Sequence, residues 1–304
     1  MTQPAPQERT RGAQMEAELV SQPEVWERAA RQARSEPGKL PADGQRIAVV
    51  GCGTSWFMAQ SYASLREGRG QGITDAFPAS EAFVDRGYDT VMVITRSGTT
   101  TEVLETLQSL EGKVHTSAII GDTASPAAAS ADTVVALPYA DEQSVVQTRF
   151  ATATLIHLRA GLGLDDRAAV EDAQAALAEE VPPMLVTAEQ FSFLGRGWTV
   201  GLAHEAALKM REASQSWTES YPAMEYRHGP ISIAAPNRVT WLLGDQPKGL
   251  GHEVAATGAM YIHRDVHPLA ELVRAQRVAL ERARARALDP DQPRNLTRSV
   301  ILGP

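Results

Sequence analysis

The sequence has few of the features that mark secreted, membrane and nucleic-acid-binding proteins. Cys52 is the single cysteine among 304 residues, so neither an intrachain disulfide nor a cysteine-rich metal site can form. No apolar run is long enough to span a bilayer, and the N-terminal stretch MTQPAPQERTRGAQ lacks the apolar segment of a signal peptide. The formal net charge is -8, which argues against a basic face for nucleic acid. These absences predict a cytoplasmic protein that binds neither membranes nor nucleic acids.

What remains is the composition of an ordinary globular protein, with 43% hydrophobic and 22% charged residues. The length predicts one large domain or two medium ones. Residues 1–14 are polar and are predicted to be a disordered tail, with Met15 as an alternative start. Apolar runs such as RIAVV (46–50) and DTVMVIT (89–95) then alternate with helical patterns, which is typical of βαβ units around a parallel sheet.

Two stretches resemble each other and predict two similar α/β halves. IAVVGCGTSWFMAQS and FSFLGRGWTVGLAHE each join an apolar run to Gly-x-Gly and then to an apolar-faced helix. We place the boundary in the helical connection, which gives domains over residues 15–165 and 166–304. Only RVTWLLGD and GAMYIHR read as further strands in the second half, so that domain is expected to be the smaller one.

Two loops rich in small hydroxyl residues follow predicted strands. GCGTS (51–55) and TRSGTTT (95–101) stand where a strand becomes a helix, and the first turn of a helix offers unpaired N–H groups. Either loop alone reads as readily as a helix N-cap or a tight turn. Two such loops at one edge of a sheet favour a site for a phosphate monoester. A dinucleotide fingerprint fits poorly, because Trp56 stands where a third small residue is needed.

A later helix carries three charged residues at helical spacing. Glu205, Lys209 and Glu212 stand at i, i+4 and i+7 and share one face. Exposed, they would form a surface ion-pair row of little energetic weight. His228 follows in the loop YPAMEYRHGP, and a histidine near carboxylates suits proton transfer at neutral pH. The spacing alone leaves the surface and the catalytic interpretations nearly even.

An arginine-rich helix is predicted over about residues 268–287. Its arginines could contact nucleic acid, but the acidic balance of the chain favours a solvated helix. The buried face of that helix would be an apolar stripe, formed by Leu269, Leu272, Val273, Ala279 and Leu280.

Together these motifs resemble the double sugar-isomerase (SIS) domain family. The similar segments, in chain order, are GCGTSW, TRSGTTTEVLETL, SVVQTR, FLGRG, EAALKMREAS, ESYPAMEYRHGP and DPDQPRNLTRSV. The family includes the isomerase half of glucosamine-6-phosphate synthase, ketose/aldose-6-phosphate isomerases, amino-sugar-phosphate deaminases and fructosamine-6-phosphate deglycases. The resemblance implies an α/β fold of two SIS-type three-layer α/β/α domains with parallel sheets, the second one reduced.

The resemblance also implies roles for individual residues. Glu212 would be the base that moves a proton between C1 and C2, with Lys209 in support, and His228 would open the sugar ring from the neighbouring subunit of a homodimer. No metal or organic cofactor is expected. The hydroxyls of Thr95, Ser97 and Thr100 would hold the sugar phosphate. The full set of implied substrate-binding residues is Cys52, Gly53, Thr54, Ser55, Thr95, Arg96, Ser97, Gly98, Thr100, Val145, Val146, Gln147 and Glu205.

Arg298 departs from the pattern of the synthase, which has an imine-forming lysine at the matching place in NLTRSV. A guanidinium stays protonated and cannot form that imine, so amide transfer is not expected. No glutaminase domain precedes the match in this sequence. Arg298 would instead stabilise developing oxyanion charge. The expected function is isomerisation of a phosphorylated (amino)hexose through an enediol, with or without deamination. A fructosamine-6-phosphate deglycase and a non-catalytic sugar-phosphate-binding regulator remain alternatives.

Overall fold

The computed structural model describes residues 10–303 and contains two parallel sheets surrounded by helices. The strands are β1 (Ile47–Gly51), β2 (Thr74–Pro78), β3 (Thr90–Thr95), β4 (His115–Ile120), β5 (Thr133–Ala136), β6 (Gln190–Gly195), β7 (Trp217–Pro222), β8 (Arg238–Leu243) and β9 (Met260–Ile262). The α-helices are α1 (Ala13–Val20), α2 (Gln22–Ser35), α3 (Thr54–Gly68), α4 (Thr101–Leu110), α5 (Pro126–Ser130), α6 (Arg149–Gly161), α7 (Arg167–Ala178), α8 (Pro183–Thr187), α9 (Thr199–Ser214), α10 (Leu250–Ala256) and α11 (Pro268–Ala285). None of the helices in the described part of the chain is both long and apolar enough to cross a membrane.

The first sheet has the strand order β2-β1-β3-β4-β5, and all its pairs are parallel. Every residue of β1 and β3 is buried, as expected for strands covered on both faces. The sequence predicted these strands to within one residue at each end. It missed β2, because an edge strand that is only half buried carries no continuous apolar run. The order reverses between β1 and β3, and a crevice therefore opens beyond their carboxyl ends.

The second sheet has the order β7-β6-β8-β9 and is also parallel. Its order repeats that of β2, β1, β3 and β4, which supports the prediction of two similar halves. The edge strand β7 was predicted in part as loop, since WTESYP has little apolar content and is largely exposed or half buried. The sheets have five and four strands, a difference that does not confirm a reduced second domain.

The two halves meet where α3 crosses α9. A Cβ atom added at Gly201 would lie 2.3 Å from the carbonyl oxygen of Phe57 and 2.3 Å from the hydroxyl of Ser61. Only glycine fits at this crossing, so the two helix backbones approach closely. As a result α9, which belongs to the second half, runs beside the crevice of the first sheet.

Helix α11 is not the solvated helix that the sequence predicted. Its apolar stripe is buried as expected, but two of its arginines are buried too. Arg282 is fully buried and donates hydrogen bonds to the backbone carbonyls of Leu185 and Ala188. Arg274 pairs with Glu179. Because carbonyl and carboxylate oxygens satisfy these guanidinium groups, the helix can lie inside the protein.

The N-terminal segment also differs from the prediction. Helix α1 begins at Ala13, so the last two residues of the predicted disordered tail are helical. The backbone N–H of Gly12 donates to Asp289, and that of Gln14 donates to Asp291. Residues 1–9 lie outside the described part of the chain.

Candidate active site

A cleft of about 190 Å³ lies beyond the carboxyl ends of β1 and β3. It is formed by both hydroxyl loops, by the loop before α6, by α9 and by the C-terminal tail. The structure therefore brings together residues that the sequence separates by up to about 250 positions. The predicted site residues that line it are Cys52, Gly53, Thr54, Ser55, Thr95, Arg96, Ser97, Thr100, Val145, Gln147, Lys209, Glu212 and Arg298.

The TRSGTTT loop forms the wall at the start of α4. The backbone N–H of Gly98 donates to the Thr95 hydroxyl (3.1 Å), and that of Thr99 donates to the Ser97 hydroxyl (3.3 Å). Gly98 itself lies behind the wall and has φ +61°, and a Cβ atom there would lie 1.9 Å from the Ser125 hydroxyl. Glycine is thus required for the loop to turn this tightly. The turn and the anion-site interpretations are compatible, because the same loop also opens a helix at the cleft.

The GCGTS loop forms the adjoining wall at the start of α3. Gly53 has φ +52°, and Thr54 and Ser55 are buried in the first turn of the helix. Burial raises the pKa of the Cys52 thiol to about 11, with the charge of Glu102 adding to it. Cys52 therefore stays a neutral thiol near pH 7 and contributes packing to the cleft wall rather than a nucleophile.

The charged row of α9 forms the third side. The Lys209 ammonium lies 3.7 Å from Glu205 Oε1 and donates a hydrogen bond to Glu212 Oε2. Glu205 and Lys209 are fully buried, whereas the Glu212 side chain is 19% exposed. The surface ion-pair interpretation is thereby excluded. Glu205 does not line the cleft, although it lies beside Lys209, which does.

Burial changes the pKa values of Glu205 and Lys209 in this row. It raises the pKa of Glu205 to about 8, with Lys209 opposing the shift and Glu212 adding to it. Burial also disfavours the charge of Lys209, but Glu205 and Glu212 outweigh it and raise the pKa of Lys209 above its usual value. Near pH 7 the Glu205 carboxyl is neutral and Lys209 is an ammonium, and the more accessible carboxyl group of Glu212 lies beside that ammonium. This is a proton acceptor beside a fixed positive charge.

The loop before α6 supplies Val145 and Gln147. The Oε1 atom of Gln147 is buried at the cleft and accepts no hydrogen bond from the described residues. It is therefore available to a hydroxyl or amine of a ligand. Val146, which was also predicted to contact the substrate, is fully buried in the hydrophobic core and does not line the cleft.

The C-terminal tail covers one side of the cleft. Arg96 donates to the carbonyl oxygens of Ser144 (2.9 Å) and Arg298 (3.0 Å), so it joins the tail to the loop before α6. Ser299 Oγ lies 2.9 Å from Thr99 Oγ1, and the N–H of Thr101 donates to the carbonyl of residue 300 (3.2 Å). The tail thus crosses the first turn of α4.

Arg298 lines the cleft, but its guanidinium is occupied. Nη2 donates to Asp141 Oδ1 (2.5 Å), and Nη1 donates to the carbonyl oxygen of Glu142. The predicted role for Arg298, stabilising an oxyanion on the substrate, does not fit these contacts. The side chain instead fixes the tail against residues 141 and 142.

His228 lies outside the cleft of its own chain. It ends the short 3₁₀ helix Glu225–His228 and is exposed. Its neighbour Arg227 pairs with Glu253 and holds this segment on the second half. A role for His228 at the site therefore requires a second copy of the chain.

Several cleft residues were not predicted. Leu296, Thr297, Ser299 and Val300 come from the tail around Arg298, while Ile94 and Val103 flank the TRSGTTT loop. The motif NLTRSV contains four of the six, so it could have identified the tail residues. Within residues 10–303, no group of three or more His, Cys, Asp or Glu side chains is arranged to hold a metal ion.

The first part of this architecture matches a known family. Residues 42–161 match the SIS domain family. This segment is an SIS domain. The match includes β1 to β5, both hydroxyl loops and α6, and so confirms the resemblance read from the sequence.

Relatives and solved structures extend the likeness over both halves. A glutamine–fructose-6-phosphate aminotransferase (isomerizing) of Nostoc sp. is 28% identical over 335 aligned positions, which cover 88% of this chain and 53% of that protein. The chain thus spans about half the length of the relatives it matches. A glucosamine-6-phosphate deaminase of Thermotoga maritima superposes with a TM-score of 0.80 at 23% identity, covering 95% of this chain and all of that one. The C-terminal domain of a glucosamine–fructose-6-phosphate aminotransferase of Francisella tularensis gives 0.76 at 21% identity, with coverage of 95% and 100%. These structural likenesses show that the chain shares its overall fold with both proteins over nearly its whole length.

Proposed function

We propose that this protein is a sugar-phosphate isomerase that acts on a phosphorylated hexose or amino-hexose by moving a proton between C1 and C2. The carrying observation is the buried Lys209 between Glu205 and Glu212, at the same cleft as the TRSGTTT loop. A base beside a fixed cation and a hydroxyl-rich helix start is suited to enolisation of a phosphorylated carbonyl compound.

The phosphate binds at the TRSGTTT loop, where Ser97 and Thr100 line the cleft and the first turn of α4 adds its N–H groups and dipole. This end of the site fixes the sugar so that C1 and C2 lie toward α9. The names of the similar proteins support a six-carbon sugar 6-phosphate. The Gln147 amide oxygen accepts a hydrogen bond from a sugar hydroxyl or amine.

Glu212 takes the proton from C2 of the open-chain aldose, and the electron pair moves toward the carbonyl to form an enediolate. The same carboxyl returns the proton to C1, and a second proton passes from O2 to O1, so the ketose has the same atoms as the aldose. Lys209 stabilises the negative charge of the enediolate. We assign this role to Lys209 and not to Arg298, whose guanidinium is bound to Asp141.

Ring opening needs a further acid or base, and no histidine lines this cleft among the described residues of one chain. We propose that His228 of a second copy supplies it, in a homodimer. A histidine imidazole can both donate and accept a proton, as ring opening requires. With a 2-amino sugar the same proton transfer yields an imine at C2, and addition of water then releases ammonia, so deamination is a second outcome of one mechanism.

The test is an assay of the purified protein on aldose, ketose, 2-amino-sugar and fructosamine 6-phosphates, in which isomer and ammonia are measured separately. Isomer without ammonia supports the proposal, and isomer with ammonia supports the deaminating form. Cleavage of fructosamine phosphate alone would select the deglycase alternative. Binding of a sugar phosphate with no product from any substrate would contradict catalysis and favour a regulator.

A further inference from the structure

Glu18 connects the N-terminal helix to the wall of the cleft. It lies on α1, outside the matched SIS domain, and is only 5% exposed. Its Oε1 atom accepts hydrogen bonds from the backbone N–H of Gln143 (2.6 Å) and of Ser144 (3.2 Å). Its Oε2 atom is buried and has no hydrogen-bond partner within the described residues. A buried carboxylate with one free oxygen is costly, so its retention here needs a reason.

The bound backbone belongs to the loop that faces the ligand. Residues 143–147, which we call the α1-bound loop, carry Val145 and Gln147 into the cleft. Arg96 donates to the Ser144 carbonyl (2.9 Å) from the TRSGTTT loop on the other side. The α1-bound loop is therefore held between a carboxylate from α1 and a guanidinium from the site.

A second carboxylate fixes the end of this loop. Glu142 accepts hydrogen bonds from the N–H groups of Thr148, Arg149 and Phe150 and so caps the first turn of α6. Glu142 holds the helix, whereas Glu18 holds the residues between the helix and the cleft. Of the two, only Glu18 bonds the segment that carries the ligand-facing side chains.

We propose that Glu18 is a positioning residue whose ionised carboxylate fixes the α1-bound loop and thereby sets the affinity of the site for its sugar phosphate. This inference rests on the proposed function, because it assumes that Val145 and Gln147 contact the sugar. Charge-assisted hydrogen bonds are about twice as strong as neutral ones, so loss of the charge loosens the loop without removing the contact.

The ionisation of Glu18 falls in the physiological range. Burial raises the pKa of Glu18 to about 7, and the neighbouring charge of Glu142 adds to the shift. The N–H groups of Gln143 and Ser144 and the charge of Arg149 oppose it. Arg96 also interacts electrostatically with Glu18. As the pH rises from 6 to 8, Glu18 loses its proton, the two N–H bonds strengthen, and the loop becomes fixed.

The test compares wild type, E18Q and the control E16Q, since Glu16 is an exposed residue of the same helix that pairs with Arg284. Hydrogen exchange is measured for the peptide covering residues 143–148 at pH 6 and pH 8, after correction for intrinsic rates. We expect protection to rise about fivefold in wild type and E16Q and to stay unchanged in E18Q. Thermal unfolding of E18Q separates a local effect from loss of the fold.

Kinetics with the sugar phosphate give the second readout. In wild type and E16Q the KM should fall about fivefold between pH 6 and pH 8, because the loop becomes fixed. E18Q should lack this part of the fall in KM. The pH dependence of kcat should be the same in all three proteins, because kcat reports the proton transfer. Ionisation of the substrate phosphate acts on all three proteins alike. Equal pH dependence of exchange in E18Q and wild type would overturn the positioning role. A loss of protection in E18Q, together with no sugar-phosphate binding by wild type, would instead overturn the proposed function.

Discussion

Lys209 donates a hydrogen bond to Glu212 from a side chain that is only 1% exposed. A buried ammonium needs compensating negative charge, and Glu212 supplies it from the same helix. The Lys209–Glu212 pair therefore compensates a buried charge and also holds the proposed proton acceptor at the cleft. Removing either partner changes both the charge balance of α9 and the proton acceptor at the cleft.

Replacement of the proposed base should stop the chemistry while leaving the fold intact. We expect E212Q to lower kcat by about 10²–10⁴-fold, because glutamine cannot accept the proton. The measurement is incorporation of deuterium from D₂O into the substrate, which reports proton transfer even without net turnover. E111Q changes an exposed glutamate and should match wild type. Full exchange in E212Q would assign the base elsewhere.

The raised pKa of Glu205 predicts a specific dependence of stability on pH. Because the folded pKa of about 8 lies above the ordinary 4.5, the folded state holds a proton that the unfolded state releases. This contribution is fully present below pH 4.5 and is lost as the pH rises toward 8. Wild type should therefore lose up to about 1.4 kcal/mol of unfolding free energy per pH unit in this window, relative to E205Q, which lacks the ionising group. Denaturant unfolding measures it, and parallel curves would show that Glu205 ionises normally.

A site shared between two copies should show complementation. E212Q and H228A are each expected to be inactive as homodimers. In a mixed dimer one site has both substitutions and the other has neither, so random mixing should restore about one quarter of wild-type activity. Activity is measured after the two variants are unfolded and refolded together. No restored activity from mixtures shown to contain mixed dimers would place His228 outside the partner's site.

The position of the C-terminal tail over the cleft should depend on Arg298. R298M removes the contacts with Asp141 and Glu142, and we expect faster hydrogen exchange over residues 296–302 and a KM raised about tenfold, as for a loss of about 1.4 kcal/mol. The exposed Arg294 on the same tail provides the control R294M, which should leave both unchanged. A drop in kcat with an unchanged KM would instead support the oxyanion role that the contacts argue against.

The TRSGTTT loop should tolerate no side chain at Gly98. G98A and G112A both place alanine at positive φ, which costs about 1–2 kcal/mol in each. Only G98A adds a clash, with Ser125, and should lose about 1–3 kcal/mol more. Urea unfolding of both variants isolates the clash as their difference. Equal losses would mean that the loop can shift away from Ser125.

Local patterns were enough to predict much of the fold and site. The buried strands β1 and β3 showed as continuous apolar runs, the hydroxyl loops followed them directly, and the spacing of Glu205, Lys209 and Glu212 put them on one helix face. Each of these signals depends on neighbours within a few residues, so the chain alone carries it.

Burial and pairing across the chain were decided only by the tertiary structure. The spacing on α9 was compatible with a solvated row, and Lys209 is buried only because distant segments pack around α9. Glu18 bonds Gln143, which is 125 positions away in the sequence, and Arg298 bonds Asp141, which is 157 positions away. No local sequence pattern predicts either contact. A side chain's charge and reach are fixed by its type, but its partner and its dielectric surroundings depend on which distant segments pack beside it.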